Sequence, residues 1–463
     1  MLDRSLPPGP GRFSVVQLHD WITTPCELLD ACAARYGASF TLRFPFQRPL
    51  VVVSDPDDVR KLFSVGLRAI DAGCMNGMLE PVVGHHSPVV LDGARHLRIR
   101  RALAVPFGRA QVSGTLDALG RRTRAWLEDL PVGRAFPVHA AFEDLTLDGM
   151  LEDVLGLEPG PRTAAIRDGV RELLALLSRT TTTLTWMLVG RAPVFAALPA
   201  WRRVRRLLAR LDAALASEIV SARERAARGE PPRGALDRLA RPFEIGGDVL
   251  TPREIRDQLV TLLWAGCETT PNALAWAVHH LVENPAWIER IAIEATDAGA
   301  ALPPPPGSDE APDRRPVLEA VIRETLRSSP VITLAKRRLA TDLDLGDRTL
   351  PAGTDVAACL YLAHRDPRRW PDPTRFDPGR FLAAERSNPF HFLPFGGGMR
   401  RCVGMHLALG EMRVVLAELC VRKRFRAAPG YRMRVARHTV AYLPSEGMPI
   451  VCDGERRGME RVS

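Results

Sequence analysis

The stretch FGGGMRRCVG, Phe395 to Gly404, sets one cysteine among four glycines and two arginines. Such a cysteine can close a disulfide, hold zinc, attack a substrate, ligate iron or fill space. The chain's cysteines, Cys26, Cys32, Cys74, Cys267, Cys359, Cys402, Cys420 and Cys452, form no CxxC pair and no regular framework. That argues for a reducing compartment and against structural zinc. Zinc needs three or four converging ligands, and near Cys402 only His406 follows, on a helix opening at Gly404 where it could equally face solvent. A nucleophilic cysteine needs a base, and none is evident in the sequence. A thiolate on iron instead needs backbone donors around its charge. Glycines that let the backbone fold tightly round sulfur supply them.

Working outward, the clearest helix is TPREIRDQLVTLLWAGCETTPNALAWAVHHLVENP, from Thr251. Thr251 caps it, Pro252 takes the first helical position, Glu254 completes a capping box, and Asn284 and Pro285 end it. At 1.5 Å per residue it runs roughly 50 Å, and its apolar middle predicts a buried central helix over 251–284. Pro271 removes one backbone hydrogen bond, so the helix is expected to open near 266–270. Ala265 and Gly266 leave room for a group to approach the backbone. Glu268 and Thr269 next to an opened turn form a candidate proton relay, although Thr269 bonded back to a carbonyl is the plainer reading.

SFTLRF from Ser39 and RPLVVVS from Arg48 alternate as paired strands within 39–54, ahead of a helix opening at Asp55–Asp58. Helical periodicity dominates 95–300, a proline-rich insert follows at Ala301, and the C-terminal third mixes helices with short strands. The segment from Thr181 to Trp201 reads as two short apolar helices joined by a loop. The expectation is one domain over 1–463, mainly α with a minor β part.

Composition narrows the function. The 463 residues carry a formal charge of +9, and only Lys61, Lys336 and Lys423 among the cations are lysine. No basic tail or arginine run interleaved with aromatics marks a nucleic-acid partner. The N-terminal MLDRSLPPGPGRF holds no apolar span, so the chain is expected to be cytoplasmic, without a membrane anchor.

The pieces together resemble the cytochrome P-450 family. FGGGMRRCVG fits FxxGxRxCxG at Phe395, Gly398, Arg400, Cys402 and Gly404. AGCETT from Ala265 resembles the family's oxygen-binding helix segment, ETLR from Glu324 its ExxR, FDPGRF the segment carrying Arg380, and HLRIR its haem-propionate contact. The order and separations suit the family from about residue 90 to 420.

The resemblance implies the family fold, with haem b between the central helix and the 395–404 loop, and Cys402 as the iron's thiolate ligand. His96, Arg100, Arg338 and Arg400 would neutralise the propionates, Ala265 and Gly266 would lie against the haem, and Phe395, Gly398 and Gly404 would shape the cysteine loop. Glu324, Arg327 and Arg380 would form a structural lock. Thr269 and Glu268 would organise water and supply protons to dioxygen. Leu262, Val331, Ile332, Thr333 and Leu334, with side chains from roughly Met75 to Leu91, would line a substrate pocket, and the Thr181–Trp201 segment would cover its entrance. The implied activity is a monooxygenase inserting one atom of O2 into a hydrophobic small molecule, by hydroxylation or epoxidation, in secondary metabolism or lipid or terpenoid oxidation. A haem-thiolate isomerase, dehydratase or peroxygenase, or a non-catalytic haem sensor, is the alternative. Electrons would come from a ferredoxin or flavodoxin with an NAD(P)H-dependent reductase, steered by Arg401, Arg413 and Lys423, and the enzyme would act as a bacterial monomer.

Overall fold

The structure is a computed structural model that describes residues 6–456 except 67–68, 180, 183–184, 187–197, 244–246, 298–314, 347 and 383–388. The proline-rich insert and most of the expected entrance segment, Thr181–Trp201, lie outside the described residues.

Short apolar runs build a five-stranded sheet. Strands β1 (Ser39–Leu42) and β2 (Leu50–Val53) pair, as the sequence predicts, and do so antiparallel with Ser39 opposite Val53. Downstream come β3 (Ile70–Asp71), β4 (Leu334–Leu339) and β5 (Asp355–Cys359), giving the order β1-β2-β5-β4-β3. Only β2–β5 is parallel, with Leu50 opposite Asp355. Both faces of the sheet are covered. Phe40, Leu42, Val52 and Ala357 pack under Leu18 and Leu29, while Val51, Val53, Val356 and Ala358 face Val59 and Leu62. That two-sided burial explains the unbroken apolar runs in β2 and β5. Val59 and Leu62 belong to α1 (Pro56–Ser64), whose N-cap Asp55 accepts a hydrogen bond from the Asp57 N–H.

The larger core surrounds a helical body made of α2 (Gly93–Ala104), α3 (Val138–Asp148), α4 (Pro252–Glu283), α5 (Pro316–Ser328) and α6 (Met405–Arg422), with others packed around them. The capping box expected at α4 is present, with Thr251 Oγ1 accepting from the Glu254 N–H and Glu254 Oε2 from the Thr251 N–H. A β-hairpin, β6 (Val435–His438) with β7 (Ala441–Pro444), lies against α4. Among the described residues no helix is long and apolar enough to cross a membrane.

One expectation is corrected at α4. The helix runs unbroken past Pro271 instead of opening at 266–270. Proline deletes a single backbone hydrogen bond, and the rest of the 32-residue helix, enclosed by the core, holds its path. The Thr269 hydroxyl donates back to the Ala265 carbonyl at 2.8 Å, as the plainer reading of the sequence had it.

Candidate haem-thiolate site

From Asp257 to His279 every residue of α4 is buried except Leu262, Ala265, Gly266 and Thr269. Their spacing of three, one and three residues puts them on one helical face. An accessible stripe in the middle of an otherwise buried helix faces open space rather than packed protein. Gly266 is close-packed beside that stripe: a Cβ there would lie 2.3 Å from the Met150 methyl, so the group approaching the backbone at this point is Met150.

The Cys402 loop has the same character. Gly398 adopts φ +65°, and a Cβ on it would lie 2.3 Å from the Phe63 carbonyl oxygen of α1, so only glycine fits. The Cys402 N–H donates to the Phe395 carbonyl at 3.0 Å and closes the loop, and Gly404 hands the chain to α6. Cys402 shows accessible surface although enough protein surrounds it for burial to raise its thiol pKa. The Gly404 N–H, Arg100 and Arg401 act in the opposite direction and favour a thiolate. α6 packs on α4, with Glu411 hydrogen-bonded to Thr270. All eight cysteines are free.

Beside the loop lies a cluster of cations. His96 and Arg100 share one face of α2, and the Arg100 guanidinium donates to the Arg401 carbonyl at 2.8 Å. His96 is 3% exposed and its Nδ1 has no hydrogen-bond partner, while burial, then Arg400 and Arg100, push its pKa down to about 4. Arg400 is held by Asp92 and by the Pro88 and Leu91 carbonyls. Asp92 already receives the Ala72, Gly73 and Cys74 N–H groups.

The sequence assigned Arg338 to this cluster, and the structure corrects that to Arg337. Arg338 is held bidentately by Asp355, at 2.6 and 2.9 Å, on the opposite face of β4. Arg337 is buried beside Arg400 and Asp92 with its Nε unpartnered, and burial followed by Arg400 lowers its pKa to about 10. Successive strand residues point to opposite faces, so a one-residue difference in assignment moves the charge across the sheet. Four basic side chains around one carboxylate, two of them with orphaned buried nitrogens, fit a dianionic group such as the two propionates of haem.

The proximal lock is complete. Glu324 and Arg327 are both fully buried and paired through two hydrogen bonds of 2.7 and 2.8 Å, and Arg380 reaches Glu324 Oε1 at 3.1 Å. Arg327 also donates to the His364, Pro373 and Arg375 carbonyls, and Arg380 to those of Pro371, Asp372 and Arg375. The pair therefore staples α5 to the segment 364–380.

The acid–alcohol pair is not brought together. Thr269 lies on the accessible stripe, whereas Glu268 is 0% exposed and turned toward the β6–β7 hairpin. It accepts from Trp264 Nε1 at 2.7 Å and from the Val440 and Ala441 N–H groups at 3.2 Å. Neighbours on a helix do not face each other. Burial raises the Glu268 pKa to about 7. His438 Nδ1 lies 3.8 Å from Glu268 Oε1, and His438 Nε2 lies 3.6 Å from Glu143 of α3, a carboxylate that is 30% exposed and pushed to about 7 by burial and by Asp144 and Glu268. Sequence reading missed Glu143 and His438, which are distant in the chain and carry no motif.

Of the expected pocket residues, Leu262 is on the stripe and Leu334 lines a cavity with Met75 and Met78. Val331 and Thr333 are buried, their carbonyls accepting from the Tyr442 and Leu360 N–H groups, and Ile332 packs against the main core. Arg413 and Lys423, expected to steer a redox partner, are buried and paired with Glu319 and Glu455, so they are withdrawn from that role. Arg401 remains exposed.

The match to the cytochrome P450 family model extends over residues 7–447. The chain belongs to the cytochrome P450 family. It is 35% identical over 420 residues to cytochrome P450 135B1 of Mycobacterium tuberculosis, covering 90% of this chain and 85% of the relative. Cytochrome P450 135A1 of the same organism is 33% identical over 435 residues, with 92% and 90% covered. Among solved structures, retinoic acid bound cyanobacterial CYP120A1 superposes with a TM-score of 0.81 at 21% identity, covering 97% of this chain and 99% of that one. The P450 fold is therefore shared, and the family's cofactor is haem held by a cysteine thiolate.

Proposed function

We propose that this P450 is a monooxygenase that inserts one oxygen atom from O2 into a hydrophobic small molecule, with the whole chain forming one haem-thiolate unit. The observation that carries the reading is the accessible stripe on an otherwise buried α4, with the Thr269 hydroxyl at its end. Cys402 would ligate the iron, and His96, Arg100, Arg337 and Arg400 would hold the propionates. Thiolate-bound haem supplies the activation of oxygen.

The chain's own residues do the rest. The closed Cys402 loop offers the Gly404 N–H to the sulfur. Leu262 and Ala265 present an apolar wall that excludes bulk water and suits an apolar substrate. Thr269 donates its own proton to the Ala265 carbonyl, so its oxygen is free to accept from a water and hold it on the stripe. Glu268, poised near neutrality with His438 between it and the half-buried Glu143, is a proton store behind that water; reaching it requires the carboxylate to turn from the hairpin. Electrons come from a separate ferredoxin or flavodoxin, for which Arg401 is the exposed cation at the cysteine face.

Thr269→Ala tests the reading. A monooxygenase variant forms less product per NAD(P)H consumed and releases more hydrogen peroxide. A haem-thiolate isomerase or dehydratase needs no such water, and unchanged coupling would favour that class.

A further inference from the structure

Leu334, at the start of β4, is one wall of a cavity of about 110 Å³ whose other apolar walls include Trp21, Phe44, Met75, Met78 and Trp186. Alternation along β4 sends Leu334, Lys336 and Arg338 into this cavity. Arg337, between them, joins the cation cluster on the opposite face with His96 and Arg400. The charges in the cavity are unequal, and Arg48, which also lines it, is exposed. Arg338 and Asp355 satisfy each other through two hydrogen bonds. Lys336 is one of three lysines in the chain; its ammonium makes no hydrogen bond or ion pair among the described residues, and Asp355 favours its charge while Arg437, whose buried Nη1 has no partner, opposes it. With Asp355 committed to Arg338, an ammonium among aromatic and sulfur-bearing side chains that makes no ion pair of its own is costly, and it is a ready-made anchor for an anion. At the mouth, Phe46 on the β1–β2 turn is 87% exposed at φ +58°, an apolar lip over the same cavity.

We propose that this cavity receives the carboxylate end of an amphiphilic acid, with Lys336 as its counter-ion and the apolar body passing Leu334 toward the Thr269 stripe. The proposal rests on the monooxygenase reading and names its substrate class. A singly charged head fits better than a phosphate, because Asp355 stands in the same cavity and repels a second negative charge. Haem carboxylates do not compete for Lys336, since their cations lie across the sheet. Burial and Arg437 depress the Lys336 pKa more than Asp355 raises it, and a bound carboxylate would relieve that pressure.

The test is binding to the haem-loaded enzyme, followed by haem absorbance and by fluorescence quenching of Trp21 and Trp186. The probes are straight-chain saturated acids from decanoic to octadecanoic and their methyl esters. The best acid is expected to bind about tenfold or more tightly than its ester, as a charge-assisted hydrogen bond allows. Lys336→Gln should bring that ratio close to unity while leaving ester affinity unchanged, and Lys336→Arg should keep most of it. Acids that never exceed their esters, or a ratio untouched by Lys336→Gln, overturn the proposal. These readouts need no turnover, so they fail or succeed independently of the coupling test on Thr269.

Discussion

Replacing Glu268 by glutamine isolates one wholly buried charge on the central helix. The side chain is wholly buried, and its pKa stands at about 7 against an ordinary 4.5 because burial penalises the carboxylate more than Trp264 Nε1, the Thr439 hydroxyl and the Val440 and Ala441 N–H groups repay. The other titratable neighbours are His438 and, beyond it, Glu143. The sign follows from proton linkage: between those two pKa values the folded chain holds a proton that the unfolded chain has released, so stability falls as pH rises and the loss is complete above about 7. A gap of some 2.5 pKa units corresponds to about 3 kcal/mol. Glutamine keeps the acceptor oxygen and cannot ionise. The stability of Glu268→Gln relative to wild type should therefore improve by about 3 kcal/mol from pH 4.5 to pH 8. With an unfolding entropy of about 2.1 cal/mol/K per residue, a chain of 463 residues changes Tm by about 1 °C per kcal/mol, so the Tm difference should grow by about 3 °C across that range. Thermal melts of the two haem-loaded proteins over a pH series measure it. A Tm difference that is flat with pH would refute the reasoning, because it would mean Glu268 is ionised at the same pH in both the folded and unfolded chains.

Glu324→Ala leaves the fully buried Arg327 without its carboxylate; breaking such a pair costs about 3–5 kcal/mol, and a lowered Tm with faster haem loss is expected, whereas an unchanged melt would show the lock to be dispensable. Arg337→Ala should weaken haem retention more than Arg338→Ala, because only Arg337 sits in the unbalanced cation cluster; haem transfer to apomyoglobin ranks the two variants, and the reverse order would return the role to Arg338.

The readings that succeeded from sequence were local ones. The Thr251–Glu254 capping box and the β1–β2 pair depend on residues a few positions apart, and the glycine at 398 is required by the turn it makes. The Glu324–Arg327 spacing was legible, but their burial was not; the segment 364–380 supplies the carbonyls and Arg380 that close over the pair. Errors arose where the answer depended on register or on a distant segment. Arg337 and Arg338 are adjacent, and nothing in the sequence fixes which one faces the core until β4 is paired with β5. Glu268 was coupled to Thr269 by adjacency, yet the 438–441 hairpin supplies the donors that turn it away. Arg413 read as a surface cation because its partner Glu319 lies on another helix. Pro271 was given too much weight because the packing that keeps α4 continuous comes from the rest of the chain.

The central claim is that Cys402 is the thiolate ligand of a haem held between α4 and the 395–404 loop. The most direct measurement is the absorbance of the reduced carbon monoxide complex of the haem-loaded protein, alongside that of Cys402→His. The wild type should show the long-wavelength band characteristic of a thiolate ligand, and the variant should retain haem but lose that band. A wild-type spectrum of the imidazole type, or a thiolate band that survives in Cys402→His, would contradict the account.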